Sequence, residues 1–183
     1  MPIRRCPLLL RSPSRPSRTH PPYGKRSGEV CPAKSTRVLE LLPEVAGFYR
    51  MQLHRHSQAV AYLDRRGVSS SELIEHMRIG YAPGGCLRGW MADLGYPVEV
   101  LRQAGLVTAA GYDTYRHRVV FPLEGNLYGR SLSATAPPHR FLPGAKGGLY
   151  SWDQARLYPE VVLVEGLFDY AALWQAGCNS SRA

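Results

Sequence analysis

Cysteine is scarce in this 183-residue chain, and its spacing is as informative as its number. The four cysteines are Cys6, Cys31, Cys86 and Cys178, so no two of them are separated by only two residues. Structural zinc sites usually take their thiolates from such close pairs. We therefore expect no zinc, and four scattered cysteines are typical of reduced thiols in an intracellular protein.

Long hydrophobic runs are also lacking. The Pro-Leu-Leu-Leu run at residues 7–10 is too short for a secretory core. No stretch approaches the roughly 20 apolar residues that a membrane-spanning helix needs. We expect a cytoplasmic protein with no membrane partner.

Positive charge is abundant but unevenly placed. Residues 1–36 hold eight Lys and Arg against the single acid Glu29, so they supply +7 of the net charge of +9. They also hold seven prolines. We predict a disordered basic tail there, because such a composition cannot bury enough apolar surface to order itself. Residues 37–183 carry 15 basic and 13 acidic side chains, a net charge of only +2, so the total charge is weak evidence for nucleic-acid binding.

Helical spacing of apolar residues dominates the chain between residues 57 and 101. Ser57 is placed to cap a first helix, with Gly67 as its left-handed stop. Ser69 and Glu72 have the spacing of a capping box for a second helix. The predicted helical stretches are 57–67, 69–77, 87–95 and 97–101.

The periodicity then changes to that of strands. Val119–Phe121 and Leu127–Gly129 are typical of short strands around a turn at residues 124–126. This part of the chain is predicted to form a small β region after the helices.

A further strand and helix are predicted near the C-terminus. The four apolar residues of Val161–Val164 fit a strand buried on both faces of a parallel sheet. Glu165 would stand at its carboxyl end, where open α/β sheets place their ligands. Residues 168–176 favour the helix that follows, with Gly177 as its stop. The predicted fold class is α+β: helices and a small sheet, followed by the first βα unit of an α/β domain.

Two sets of residues in this chain resemble parts of one protein family. The strand at 161–164, Glu165, Gly166 and Asp169 resemble the opening motif of the Toprim domain, which holds Mg²⁺ in primases, topoisomerases and some nucleases. An ordinary strand-to-helix junction with two solvated acids is the alternative. The chain from about Phe48 to Gly177 resembles the catalytic core of bacterial DnaG-type DNA primases, and phage-type primase–helicases share the second half of the pattern. The segments that carry the resemblance are Phe48-Tyr49-Arg50, Ala59–Val68, Ile79–Pro83, Leu94–Tyr96, Ala104–Val107, Tyr112-Asp113, Tyr115–Pro122 and Gly129–Leu132.

The resemblance implies a DNA-directed RNA polymerase, a nucleotidyltransferase that makes short RNA primers on single-stranded DNA during replication. It implies Mg²⁺ (or Mn²⁺) as cofactor, with single-stranded DNA template, ribonucleoside triphosphates and, for the intact family, a replicative helicase as partners. Glu165 is the implied catalytic residue, and Glu165 and Asp169 are the implied metal ligands. The implied domains are the N-terminal subdomain of the primase core (37–155) and a truncated start of Toprim (156–183). The residues implied to bind nucleic acid or nucleotide are Arg116, Arg118, Arg130, Arg140 and Lys146.

Half of the implied metal site is missing from the sequence. The family supplies a second acidic cluster, Asp-x-Asp, from a later strand, but no acidic residue follows Asp169. Leu142 is followed by Pro143 where the family has Asn, so that family contact also lacks its residue. We therefore expect a primase fragment that is inactive alone. The alternatives are a non-catalytic single-stranded nucleic-acid-binding remnant, a fragment of a phage-type primase–helicase, and a product without function.

Overall fold

Four short strands form the centre of the fold, and helices cover both of their faces. The computed structural model describes residues 36–178, and side chains from residue 38 to residue 178. None of the helices within that range is long and apolar enough to cross a membrane. The strands are β1 (Gly80–Ala82), β2 (Arg118–Leu123), β3 (Asn126–Ser131) and β4 (His139–Phe141). The helices are α1 (Thr36–Leu53), α2 (Ser57–Arg65), α3 (Ser71–His76), α4 (Leu87–Asp93), α5 (Val98–Gln103), α6 (Trp152–Ala155) and α7 (Leu167–Gln175).

The 18-residue helix α1 is not among the helices predicted from the sequence. Its buried side chains nevertheless recur every three or four residues, as an amphipathic helix requires. They are Val38, Leu41, Leu42, Val45, Phe48 and Tyr49. The basic tail predicted for residues 1–36 lies outside the described residues, except for Thr36, which begins α1.

The sheet is antiparallel throughout, with the strands side by side in chain order. The predicted hairpin is confirmed as β2 and β3, which pair from Arg118 opposite Ser131 to Leu123 opposite Asn126. Gly125 turns the hairpin with φ +64, in the left-handed region that glycine adopts without steric cost. β1 and β4 have only three residues each, too few for a period-two pattern to be recognised in the sequence.

Each face of the sheet packs against its own apolar cluster. On one face, α1, α4 and α5 bury Leu41, Met91 and Leu101 in one cluster with Val120 and Leu127 of the sheet. On the other face, the cluster combines Tyr81, Val119, Phe121 and Tyr128 of the sheet with apolar residues from α2, α3 and α7. The helices and antiparallel sheet agree with the predicted α+β class.

The helix starts differ from the predicted caps by one residue. Ser57 is the first residue of α2 and not its cap; the cap position is His56, whose Nδ1 lies 2.8 Å from the carbonyl oxygen of Gln52. At α3 the cap is Ser70 and not Ser69, because the Ser70 hydroxyl accepts a hydrogen bond from the Leu73 amide at 3.2 Å. Gly67 adopts φ +77 after α2, as predicted.

The strand predicted at Val161–Val164 is wrong for the described part of the chain. These residues have no regular secondary structure, and their side chains are 40 to 72% exposed. A strand forms only where a neighbouring strand accepts and donates its main-chain hydrogen bonds, and among residues 36–178 no strand lies beside this segment. The helix predicted after it is confirmed as α7, shifted by one residue.

A glutamine clamp holds α7 against the rest of the fold. The Gln175 side-chain oxygen accepts hydrogen bonds from the amides of Ser69 and Ser70 at 3.3 and 3.2 Å. Its side-chain amide donates to the carbonyl oxygen of Gly67 at 2.5 Å. At the other end of α7, the Phe168 ring packs edge-on to Phe121, with centroids 5.6 Å apart. The two ends of the helix are therefore fixed by different kinds of contact.

We expect Gln175→Ala to lower the free energy of unfolding by about 1 kcal/mol, because three main-chain groups lose their partner at a solvent-exposed position. Urea denaturation measures this loss, and hydrogen exchange should localise it to α7 and residues 67–70. Gln103→Ala, at an exposed glutamine of α5, is the matched control and should leave both measurements unchanged. Equal effects of the two substitutions would contradict a clamp at Gln175.

We also expect the full chain to self-associate through residues 161–164, because four adjacent apolar side chains are exposed beside unpaired main-chain groups. Val162→Lys should shift the chain toward monomer in sedimentation velocity. Ala110→Lys, in an exposed turn, adds the same charge elsewhere and should not. A chain that is monomeric at every concentration, or insensitive to Val162→Lys, would exclude this role.

Candidate nucleic-acid interface

The basic residues of the sheet gather at one of its ends. One end of the sheet contains the start of β2, the end of β3 and the start of β4. Arg118 therefore lies opposite Ser131. Arg130 pairs with Val119 on one side and with His139 on the other. We call this cluster the basic end; it consists of Arg116, His117, Arg118, Arg130, His139 and Arg140. The antiparallel register thus brings together four of the five basic residues implied by the resemblance.

Arg118 is the most buried member of the basic end, at 4% exposure. Its guanidinium donates hydrogen bonds to the carbonyl oxygens of Gly129 at 3.4 Å, Pro138 at 3.5 Å and Pro137 at 2.8 Å. Burial lowers the pKa of Arg118, and the nearby positive charge of Arg140 lowers it further. The structure therefore places Arg118 among main-chain carbonyl groups.

Arg130 occupies the opposite face of the sheet and is half-buried. Its Nε donates to the hydroxyl of Tyr62 at 3.3 Å, and its Nη1 lies 2.9 Å from Nε2 of His139. Because a guanidinium can only donate, Nε2 of His139 must accept, and Nδ1 donates to the Tyr128 hydroxyl at 2.7 Å. The hydrogen bond to Tyr62 raises the pKa of Arg130. These contacts fix the direction of the side chain before any ligand binds.

Arg116 and Arg140 are the exposed arginines of the basic end. Arg116 lies over Gly84, where an added Cβ would be 2.8 Å from the Arg116 Cγ. Arg140 is paired with Gly129 across β3 and β4. Exposed guanidiniums present a planar pair of donors that matches the oxygen atoms of a phosphate.

His117 has an unusual backbone for its residue type. Its φ of +50 lies in the left-handed region, which residues other than glycine seldom occupy. Its carbonyl oxygen accepts a hydrogen bond from the Leu132 amide at 3.0 Å, and its Nδ1 lies 3.3 Å from the Tyr81 hydroxyl. The turn into β2 is therefore held by contacts to β1 and to the residue that follows β3.

Gly129 is required because Tyr115 lies directly against β3. A Cβ at this position would be 2.5 Å from Cδ1 of Tyr115 and 3.1 Å from Cδ of Arg118. The Tyr115 hydroxyl donates to the carbonyl oxygen of Leu127 at 2.7 Å, and burial raises the pKa of Tyr115. The missing side chain thus makes room for the ring and for the buried arginine together.

Lys146 lies apart from the other predicted basic residues. Its ammonium group is 5.0 Å from the centre of the Phe141 ring, and the neighbouring Gly147 approaches the carbonyl oxygen of Glu124 in the hairpin turn. Lys146 is therefore near the end of the sheet opposite to Arg118 and Arg130.

The acidic residues predicted to bind metal flank the start of α7. Glu165 precedes the helix and Asp169 lies in its first turn, both exposed to solvent. Carboxylate oxygens suit Mg²⁺, which proteins often hold with one or two carboxylates plus substrate phosphates. Among the described residues, no three His, Cys, Asp or Glu side chains are close enough together to form a metal centre. The pair fits the chemistry of Mg²⁺ but supplies only part of a coordination sphere.

An open cleft of about 1250 Å³ is lined by both acidic and basic residues. Glu165, Lys146 and His139 all line it, together with Tyr128 and Tyr170. The cleft therefore extends from the acidic turn, which we define as Glu165 to Asp169, to His139 at one edge of the basic end.

Two contributors to this interface are not identifiable from the sequence. Tyr128 is buried and Tyr62 is partly buried in the apolar cluster, and their hydroxyls also orient His139 and Arg130. Tyr62 and Arg130 are 68 residues apart in the chain, so no local motif joins them.

Comparison with known proteins identifies the family. The model of the N-terminal domain of the DNA primase catalytic core matches residues 48–133. The DNA primase of Synechocystis is 31% identical over 172 residues, which cover 80% of this chain and 27% of the relative. The DNA primase of Neisseria meningitidis serogroup A is 35% identical over 150 residues, which cover 72% of this chain and 25% of the relative. The chain thus spans about a quarter of the length of these relatives.

Solved structures agree with the sequence matches. The DnaG primase catalytic domain bound to single-stranded DNA superposes with a TM-score of 0.63 at 29% identity, covering 78% of this chain and 53% of that domain. The catalytic core of the E. coli primase gives a TM-score of 0.61 at 30% identity, covering 76% of this chain and 52% of that core. The resemblance to the DnaG-type primase core and the α+β class are confirmed, and the chain belongs to the bacterial DnaG-type DNA primase family, in which it matches the N-terminal domain of the catalytic core.

Proposed function

We propose that this chain binds the phosphate backbone of single-stranded DNA through the basic end of its sheet. The observation that carries the proposal is the preformed arrangement of Arg130, which is oriented by Tyr62 and His139. Arg140 is exposed at the same end of the sheet, on the opposite face. A related primase domain has been solved with single-stranded DNA bound, which supports the same class of ligand here. Guanidiniums held in place before binding lose little conformational freedom when a phosphate arrives.

The wider reaction is RNA primer synthesis, in which ribonucleotides are joined on a DNA template in the cytoplasm. Glu165 would bind Mg²⁺ or take the proton of the attacking 3′ hydroxyl, and Asp169 would support the same metal. When bound, Mg²⁺ would stabilise negative charge on the attacking and leaving oxygens. Arg116, Arg140 and Lys146 would contact phosphates of the template, primer or triphosphate. A replicative helicase is the protein partner that family membership implies.

A non-catalytic role in binding single strands is the second candidate. The two exposed carboxylates at α7 offer few ligands to a metal, whereas the basic end needs no further residue to attract phosphate. For the chain as it stands, we favour binding without catalysis.

We expect weak binding to an oligo(dT) strand that falls steeply with salt, since each phosphate contact releases counterions. Arg140→Gln should lower the slope of log K against log salt concentration by about 0.7, the value for one contact to a single strand. Fluorescence anisotropy at several salt concentrations gives the slope. Arg102→Gln, at an exposed arginine of α5, removes the same charge outside the basic end and should have a smaller effect. Binding that is independent of salt would indicate base stacking in place of phosphate contacts.

We expect no primer synthesis from the full chain with Mg²⁺ or Mn²⁺, because two carboxylates do not hold a metal firmly against a triphosphate. The assay measures incorporation of labelled ribonucleotides on a single-stranded template, with Glu165→Gln as the paired variant. Template-dependent incorporation that disappears with Glu165→Gln would demonstrate an active enzyme and disprove this expectation.

A further inference from the structure

Arg118 has its hydrogen-bonding capacity directed into the protein. Three main-chain carbonyl groups, those of Gly129, Pro137 and Pro138, accept from its two terminal nitrogens. At 4% exposure, the side chain presents little surface to a nucleic acid. The resemblance implies that Arg118 binds phosphate directly, but its surroundings indicate another task.

The loop that Arg118 contacts connects β3 to β4. Pro137 and Pro138 have no amide hydrogen, so their carbonyl oxygens are the only main-chain groups through which they can hydrogen-bond. Both oxygens accept from Arg118, and that of Pro138 also accepts from the Ser131 amide at 3.0 Å. The end of this loop is therefore attached to the sheet chiefly through one guanidinium and one amide.

The loop leads directly into the residues that we propose to contact phosphate. His139 follows Pro138 and accepts from Arg130, and Arg140 follows His139. A shift of the Pro137–Pro138 peptide would therefore move His139, release Arg130 from its partner and change the direction of Arg140. Arg118 contacts this peptide from the face of the sheet that it shares with Arg140, which is opposite to the face of Arg130.

We propose that Arg118 is a positioning residue, which fixes the loop between β3 and β4 so that Arg130 and Arg140 are presented to the DNA backbone. This inference rests on the proposed single-stranded DNA binding. A planar guanidinium with donors on several sides can donate to three carbonyl groups together, whereas a lysine ammonium is a compact point charge without that geometry. Arg118→Lys therefore keeps the charge and removes the positioning.

The test compares Arg118→Lys and Arg118→Gln with Arg140→Lys and Arg140→Gln in the full chain. Hydrogen exchange of residues 131–141 is measured without DNA, and oligo(dT) affinity is measured by anisotropy. Both Arg118 variants should speed exchange in this segment by about tenfold, as expected for the loss of hydrogen bonds from a charged donor. Both should also weaken oligo(dT) binding to the same extent, within twofold of each other. Arg140→Lys should keep most of the affinity, and neither Arg140 variant should change the exchange.

Normal exchange and near-normal affinity in Arg118→Lys, with weak binding only in Arg118→Gln, would overturn the proposal and make Arg118 a direct phosphate ligand. Faster exchange with unchanged affinity would also overturn it, because the loop would then not control binding. If the wild-type chain does not bind oligo(dT), the proposed function fails, and the exchange measurement still decides whether Arg118 fixes the loop. If Arg118→Gln does not fold, Arg118→Lys alone gives the decision.

Discussion

Burial of both faces of a small sheet is the constraint on which the rest of this structure depends. The strands have three to six residues, and apolar clusters cover them on either side. Charged side chains are costly in such layers unless they find partners, so they are pushed toward the ends of the strands. Antiparallel pairing then places the start of β2, the end of β3 and the start of β4 side by side. Burial within each strand thus concentrates positive charge at one end of the sheet, with Arg118 and Arg140 on one face and Arg130 on the other.

The same thin sheet requires close contact between main chain and neighbouring elements. Gly80 of β1 touches α1, since a Cβ there would be 2.7 Å from the carbonyl carbon of Tyr49, and Gly129 of β3 touches the Tyr115 ring. Both glycines lie within segments that carry the family resemblance. Their role in this fold is to leave space for a neighbour, which a comparison of motifs alone does not reveal.

Sequence patterns predicted the parts of the fold that depend on local physics. The β2–β3 hairpin, the four helices of residues 57–103 and the stop at Gly67 follow from periodicity and turn chemistry, with helix starts misplaced by one residue at Ser57 and Ser69. The failure at residues 161–164 has a different cause. An apolar run records a preference for burial, but strand formation needs a partner strand, and the run contains no information about whether one is present. Similarly, the spacing of Arg118 and Arg130 in β2 and β3 could not reveal that one guanidinium would bind carbonyl groups and the other a tyrosine and a histidine.

The basic end and the acidic turn differ in how far each is organised by the described residues. Arg130 is held by Tyr62 and His139, and the loop beside it is held by Arg118. These groups therefore lose their conformational entropy on folding and not on binding DNA. Glu165 and Asp169 are exposed at the start of a helix that is anchored through Phe168 and Gln175, and within residues 36–178 no group of three His, Cys, Asp or Glu side chains could hold a metal. Ordering and desolvating carboxylates around a metal would have to be offset by additional ligands such as substrate phosphates. In this fold, then, affinity for phosphate can exist before a metal site is complete, and nucleic-acid binding does not depend on catalysis.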